Sequence, residues 1–182
     1  GIEFGTVAAK RGETTVEVTT YRSESYSSDS RKPDVTYGTS IAGDLSRRDF
    51  TVNSMALELT GKSPEFIDPF DGLVDLAKKV LRTPGKPEDS FSDDPLRMLR
   101  AARFASQLNF EIAPEVIAAM KDMAQRLEII SAERIRDEIT KLLMSPKPRT
   151  GITILVETGL ADIALPEIPK LRLEVDEHHH HK

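Results

Sequence analysis

The sequence predicts an α+β protein, with a β-rich head over residues 1–85 and helices from there to the end of the chain. Three observations carry that reading. β-branched and polar residues alternate through the first segments, the pattern of an antiparallel hairpin. From about Gly72 onward the apolar spacing becomes helical. Between the two regimes, "VLRTPGKPEDS" has the proline and glycine content of a linker.

Taken in order, "FGTVAAK" and "TTVEVTTYR" flank "RGE" and predict an antiparallel hairpin. "SESYSSDSRKPD" is rich in serine and charge and poor in apolar residues, which predicts a mobile loop, and "VTYG" predicts a short strand. "DLSRRDFTVNSMALEL" reads as a helical turn entering a strand around Met55 to Leu59; "GK" then turns the chain into "PEFIDPF", the second arm of another hairpin. "DGLVDLAKK" is a short helix. "APEVIAAMKDMAQRL" opens with proline at a helix start, and "SAERIRDEITKLLM" is a helix with Ser131 as its N-cap. "TGITILVETGLADIALPEI" adds a helix ended by Gly159 and a further short one. The helical part divides into a neck, 86–145, the start of a body, 146–175, and a tail, 176–182.

Composition narrows the function classes. Charged residues at 30% and hydrophobic ones at 38% fit a folded domain rather than a disordered one. No apolar run approaches the roughly 18 residues of a membrane span. The absence of cysteine excludes disulfides and thiolate metal sites, so the expectation is a cytoplasmic protein with no membrane partner. A net charge of −5 means that any polyanion must be bound by a local basic patch. The chain opens at Gly1 without methionine and stops at "EVDEHHHHK", and both ends read as cuts in a longer protein.

The most distinctive stretch is "SFSDDPLRMLRAARFASQLNF". On a wheel of about 100° per residue, Met98, Leu99, Ala101, Ala102, Ala105 and Leu108 share one arc between Asp93 and Leu108. Arg100 lies opposite that arc and is flanked by Arg97 and Arg103. Asp93 and Asp94 precede Arg97 by one turn. Asp–Arg pairs at this spacing stabilise a helix by about 0.2–0.5 kcal/mol each, so helix electrostatics is one reading. Against it, Arg97 sits in the first turn, where the helix dipole disfavours a cation, and the exclusive use of arginine points to planar, bidentate recognition. The other reading is therefore a base reader, in which an acceptor beside a fork of donors matches the edge of a base and the later arginines hold phosphates. Both remain open on these residues alone.

A second cluster, "GDLSRRDFTVNSMA", crowds Asp44, Arg47, Arg48, Asp49 and Asn53 ahead of an apolar strand. By itself it is a helix with surface ion pairs. "RRDFTVN" followed about 40 residues later by "DDPLRMLRAARF", however, strongly resembles the bacterial-type (class II) tRNA nucleotidyltransferases, the CCA-adding enzymes, which share a superfamily with bacterial poly(A) polymerases. The resemblance runs in order through nearly the whole chain. "FGTV" and "VEVTTYR" look like central strands of the nucleotidyltransferase head, "IDPFDGLVDL" with "LRT" like the head–neck segment, and "SAERIRDEI" like the helix bracing the neck motif.

The resemblance implies an incomplete nucleotidyltransferase head, with an antiparallel or mixed sheet, followed by an all-α neck and body. It implies that Arg48 contacts a bound nucleotide, with Asp49 and Asn53 near its sugar. Asp94 and Arg97 would pair with CTP or ATP, and Arg100 and Arg103 would engage the triphosphate. Asp93 stands where the family usually has glutamate. The implied reaction adds CCA to tRNA 3′ ends, with a poly(A) polymerase or a non-catalytic RNA-binding module as the alternatives.

Such phosphoryl transfer uses divalent metal, Mg2+, and the family places its ligands on a D-x-D motif after a glycine-rich segment. Neither motif is found in this sequence. Glu17 in "VEVTTYR" is a weak candidate for a third carboxylate and reads equally as a solvent-facing strand residue. No metal ligand is assigned, and the chain alone is expected to incorporate neither CTP nor ATP. "DEHHHHK" reads as a tag remnant, an opportunistic metal binder, or the junction to an HD-type phosphohydrolase domain, with the junction preferred. Lys141, Lys147 and Arg149 are scattered cations for RNA or for solvent.

Overall fold

In the computed structural model, residues 6–25, 34–37 and 40–171 are described. The tail 176–182, on which the junction reading rests, lies outside them. The chain begins with the antiparallel hairpin expected, β1 (Thr6–Arg11) and β2 (Thr14–Thr19), in the register Val7 opposite Val18 and Ala9 opposite Val16. Gly12 takes φ +61° at the first position of its two-residue turn, as a turn matched to strand twist requires.

The serine-rich stretch is less of a loop than its composition predicts. β3 (Arg22–Ser25) pairs antiparallel with β4 (Asp34–Tyr37), because the extended "VTY" backbone needs a partner for its N–H and C=O groups. The rest of that loop, 26–33, lies outside the described residues.

α1 (Ile41–Ser46) starts at Ser40, whose hydroxyl accepts the Gly43 N–H at 3.2 Å. A 3₁₀ turn, Thr51–Asn53, leads into the second hairpin, β5 (Ala56–Glu58) with β6 (Glu65–Ile67). α2 (Gly72–Lys78) follows, and Gly72 has no room for a side chain: a Cβ there would collide with the Thr51 carbonyl.

The expected linker is partly ordered into the fold. β7 (Val80–Leu81) pairs in parallel with β8 (Glu111–Ile112), and Leu81 is fully buried, so burial of its apolar residues outweighs the Pro/Gly signal around it. Pro87 then begins α3 (Pro87–Asp93), as a proline at the first helical position favours. The single helix expected from Asp93 to Leu108 is two. Asp94 adopts φ −148°, ψ 100°, because the residue before a proline is pushed out of the helical region, and α4 (Leu96–Leu108) starts after Pro95.

α4 is the axis of the helical part. Its Met98, Leu99, Ala101, Ala102 and Ala105 are at most 1% exposed, whereas Leu108, expected on the same arc, is 47% exposed at the frayed end. Around it pack α5 (Pro114–Met123), a 3₁₀ segment (Ala124–Ile129), α6 (Ala132–Leu143) and α7 (Pro148–Glu157). The alanines let α7 approach closely, and Gly151 is the point of contact: a Cβ there would lie 2.5 Å from Ser106 Oγ and 2.9 Å from the Ala102 carbonyl. Gly159, at φ +77°, ends α7 as expected, and the short α8 (Ala161–Ala164) and α9 (Glu167–Lys170) complete the described chain.

Head and neck are joined by a buried polar knot. Asp75 accepts the Thr51 hydroxyl at 2.7 Å and lies 3.4 Å from Arg82 Nε, while Arg82 also pairs with Glu115 on α5. The Thr51 N–H donates to the Arg82 carbonyl at 2.8 Å. These contacts tie the 3₁₀ turn and α2 to the strand end at Arg82, and through Glu115 to α5.

Candidate nucleotide-binding cleft between head and neck

The two charged clusters of the sequence, about 50 residues apart, face one cavity of about 840 Å³. Its walls carry Arg48, Asp49 and Asn53 from the head and Asp94, Arg97 and Arg100 from the neck. Glu17 of β2 also lines it, opposite Ala8 in the hairpin register, as do Asp44, Arg47 and Arg134. Arg103 alone of the expected binding residues is not on the wall.

Asp49 is the fixed point. One carboxylate oxygen accepts the Phe50 N–H at 2.9 Å and Asn53 Nδ2 at 3.0 Å; the other accepts Arg100 Nε at 3.0 Å and Nη2 at 2.5 Å. Burial raises its pKa, but the Arg100 charge and the hydrogen bonds from Asn53, Arg100 and Phe50 outweigh that and hold it below the usual carboxylate range. Asn53 is thus engaged with Asp49. Arg48 curls back on its own helix, with Nη2 3.0 Å from Asp44 Oδ2, and remains half exposed.

On the neck, Asp94 occupies the interruption between two helices, which leaves its side chain free of any helical direction. Oδ1 accepts the Leu96 N–H at 3.1 Å, and Oδ2 accepts Arg134 Nη2 at 2.9 Å. Arg97, in the first turn of α4, makes no ion pair with a carboxylate among the described residues. Its Nη1 donates to Ser90 Oγ at 2.8 Å and more weakly to the Ser90 carbonyl at 3.4 Å, and Nη2 donates to the Arg47 carbonyl at 2.5 Å. Burial lowers its pKa, partly offset by Asp94, Asp49 and Asp93, although a guanidinium keeps its proton.

Arg103 points into the protein. Nε donates to Glu138 Oε2 at 2.6 Å, Nη1 donates to Gln107 at 2.7 Å, and the guanidinium stacks 4.0 Å over the Phe104 ring. Glu138 also draws Arg100 to 3.8 Å and Lys141 to 3.4 Å. α6 therefore braces the neck at two points: Arg134 holds Asp94 at the cavity wall, and Glu138 holds Arg100 and Arg103 of α4. Neither was singled out from the sequence as a site residue, although "ERIRDE" spaces them four apart, on one helical face.

In chemical terms the cleft offers a carboxylate acceptor beside a guanidinium, with further arginines along the wall. That is a pocket suited to a polar, anionic ligand with a hydrogen-bonding edge, in a two-part fold of head and neck. Known proteins agree. The family model "Poly A polymerase head domain" matches residues 1–82, and "Probable RNA and SrmB- binding site of polymerase A" matches residues 109–171. The chain is 50% identical over 161 residues to the CCA-adding enzyme of Levilactobacillus brevis, covering 88% of this chain and 40% of that protein. With the CCA-adding enzyme of Enterococcus faecalis it shares 45% identity over 173 residues, 94% of this chain and 41% of the relative.

Among solved structures, the Bacillus stearothermophilus CCA-adding enzyme in complex with CTP superposes with a TM-score of 0.75 at 38% identity, over 88% of this chain and 38% of that one. A tRNA nucleotidyltransferase complexed with a primer tRNA and an incoming ATP analog gives 0.73 at 30%, over 90% of this chain and 45% of that one. The chain belongs to the CCA-adding enzyme and poly(A) polymerase superfamily of nucleotidyltransferases. It spans about 40% of the length of the curated relatives it matches.

Proposed function

We propose that this chain forms the nucleotide-selecting part of a template-independent tRNA nucleotidyltransferase that adds CCA to tRNA 3′ ends from CTP and ATP. The observation that carries the reading is that Asp94 and Arg97 both line the head–neck cleft. Cytosine and adenine both present an exocyclic amine beside an unprotonated ring nitrogen. A carboxylate accepts from the amine while a guanidinium donates to the ring nitrogen. Guanine and uracil present a carbonyl and a ring N–H at those places, so Asp94 would face an acceptor and Arg97 a donor. Leaving such groups unpaired costs about 1–3 kcal/mol each, enough to reject the wrong base.

The other expected residues take places around this pair. Arg48 and Arg100 lie on the cavity wall, where guanidiniums meet a triphosphate. Asp49 and Asn53, hydrogen-bonded to each other, would stand at the sugar. Arg103 would act from behind, by holding Glu138, which Arg100 shares.

Nucleotidyl transfer takes Mg2+ to lower the pKa of the attacking 3′-hydroxyl and to neutralise the triphosphate. Among the described residues no three Asp, Glu or His side chains gather as a metal site, so these residues do not fit the ion. No helix of the described residues is long and apolar enough to cross a membrane; action in the cytoplasm is part of the proposal.

The descriptions of the two matching family models favour a second reading, a poly(A) polymerase. One assay separates them. Full-length protein is incubated with tRNA lacking its 3′ end, and the products from CTP, from ATP and from both are sequenced. Addition of C, C and A in turn supports the proposal. Runs of A alone, with CTP unused, overturn it in favour of the polymerase.

A further inference from the structure

Arg97 differs from Arg48, Arg100, Arg134 and Arg103 in the way it is held. Arg48 is paired with Asp44, Arg100 with Asp49 and Arg134 with Asp94, and behind the wall Arg103 is paired with Glu138. Arg97 instead rests on neutral oxygens, and the only side-chain oxygen among them belongs to Ser90. Ser90 is 8% exposed, near the middle of α3 and seven residues before Arg97. Its carbonyl also accepts the Asp94 N–H at 3.1 Å. One residue therefore touches both members of the pair that reads the base.

The two contacts differ in what they ask of residue 90. Any residue there supplies the carbonyl that receives Asp94, so the backbone arrangement survives substitution. The 2.8 Å bond to Arg97 Nη1 belongs to the hydroxyl alone. A carboxylate in its place would neutralise the guanidinium, and alanine would leave one edge of the fork unheld. A serine hydroxyl fixes the orientation of the fork while leaving its charge and remaining N–H groups for a ligand.

We propose that Ser90 is a specificity-positioning residue, which holds the Arg97 guanidinium at the angle that distinguishes a ring nitrogen acceptor from a ring N–H. This rests on the base-reading role given above to Asp94 and Arg97. With the hydroxyl gone, the fork swings toward neighbouring carbonyl acceptors, and guanine and uracil carry such acceptors where cytosine and adenine carry amines. The loss falls on discrimination, because the charge that draws the nucleotide in is unchanged.

The test measures affinities of CTP, ATP, GTP and UTP by calorimetry for the 182-residue protein and for Ser90→Ala, Ser90→Thr, Ser90→Cys and Arg97→Ala. The preference for CTP and ATP over GTP and UTP should fall about tenfold in Ser90→Ala, the scale of one hydrogen bond to a charged group. Threonine keeps the hydroxyl and should restore the preference. Cysteine fills the same space with a much weaker acceptor and should lose it, which covers the case of an alanine variant that does not fold. A preference lost in Arg97→Ala but intact in the alanine and cysteine variants would overturn the role of Ser90 alone. A preference that survives Arg97→Ala, or is absent from the unsubstituted protein, would overturn the base-reading role and this inference with it.

Discussion

Arg100 donates two hydrogen bonds to a single oxygen of Asp49, 51 positions earlier in the chain, at 3.0 and 2.5 Å. The pair ties the "RRDF" cluster of the head to the arginine helix of the neck, and it is what turns two charged stretches into one cleft. Replacing Asp49 by alanine strands Arg100 and orphans the Asn53 amide and the Phe50 N–H. Arg100 is a third exposed, which softens the effect, so a loss of about 2–3 kcal/mol is expected in urea unfolding.

The same pair sets an acid response. The folded-state pKa of Asp49 lies below its ordinary value, so its contribution is fully present above about pH 4, the ordinary Asp range, and is lost as pH falls through the folded value. Unfolding followed from pH 6 downward should show the unsubstituted protein losing stability below that range more steeply than Asp49→Asn. Parallel curves would mean that Asp49 is not held charged by Arg100.

Glu138 is buried between Arg103, Arg100 and Lys141. Glu138→Ala leaves the buried Arg103 guanidinium without its counter-charge and should cost about 3–5 kcal/mol. Arg103→Ala should likewise cost stability, through loss of its stacking on Phe104 as well as of the ion pair. Arg100→Ala, on the cavity wall, should weaken nucleotide affinity as well as the fold, since it leaves the buried Asp49 carboxylate without its counter-charge. Calorimetric melting beside nucleotide titration distinguishes these outcomes.

Gly151→Ala places a methyl against Ser106 Oγ and the Ala102 carbonyl where α7 crosses α4. The expected loss is about 1–3 kcal/mol from overpacking, read as a lower thermal midpoint. Ser106 Oγ has no hydrogen-bond partner, so Ser106→Ala in the same chain removes one clash without orphaning another group, and part of the stability should return.

Much of this was legible in the sequence because it lies in local pattern. The hairpins, the helical period after Gly72 and the arginines facing away from the apolar arc follow from alternation and spacing. Six of the expected binding residues, Arg48, Asp49, Asn53, Asp94, Arg97 and Arg100, meet on one cavity, which the order of the motifs already implied.

The remainder depended on pairings between distant segments. Arg103 has the same helical spacing as Arg97 and Arg100, and only the position of α6 reveals that its partner is Glu138. Arg134 carries no local signal of its role, since its contact to Asp94 spans 40 residues. The break at Asp94 was readable from Pro95, but the apolar arc running through the stretch obscured it.

The 182 residues by themselves, freed of any longer form, should incorporate neither CTP nor ATP into tRNA, because the described residues hold no carboxylate cluster for the metal-assisted step. Radiolabelled nucleotide appearing in tRNA would contradict this.

The central claim is that Asp94 and Arg97 choose the base. Full-length protein, Asp94→Ala and Arg97→Ala are each given tRNA lacking its 3′ end with one nucleotide at a time, and kcat/KM is measured for CTP, ATP, GTP and UTP. Either substitution should lower CTP and ATP use and narrow their advantage over GTP and UTP by about tenfold or more, the scale of a lost pair of buried hydrogen bonds. An undiminished advantage in both variants would contradict it.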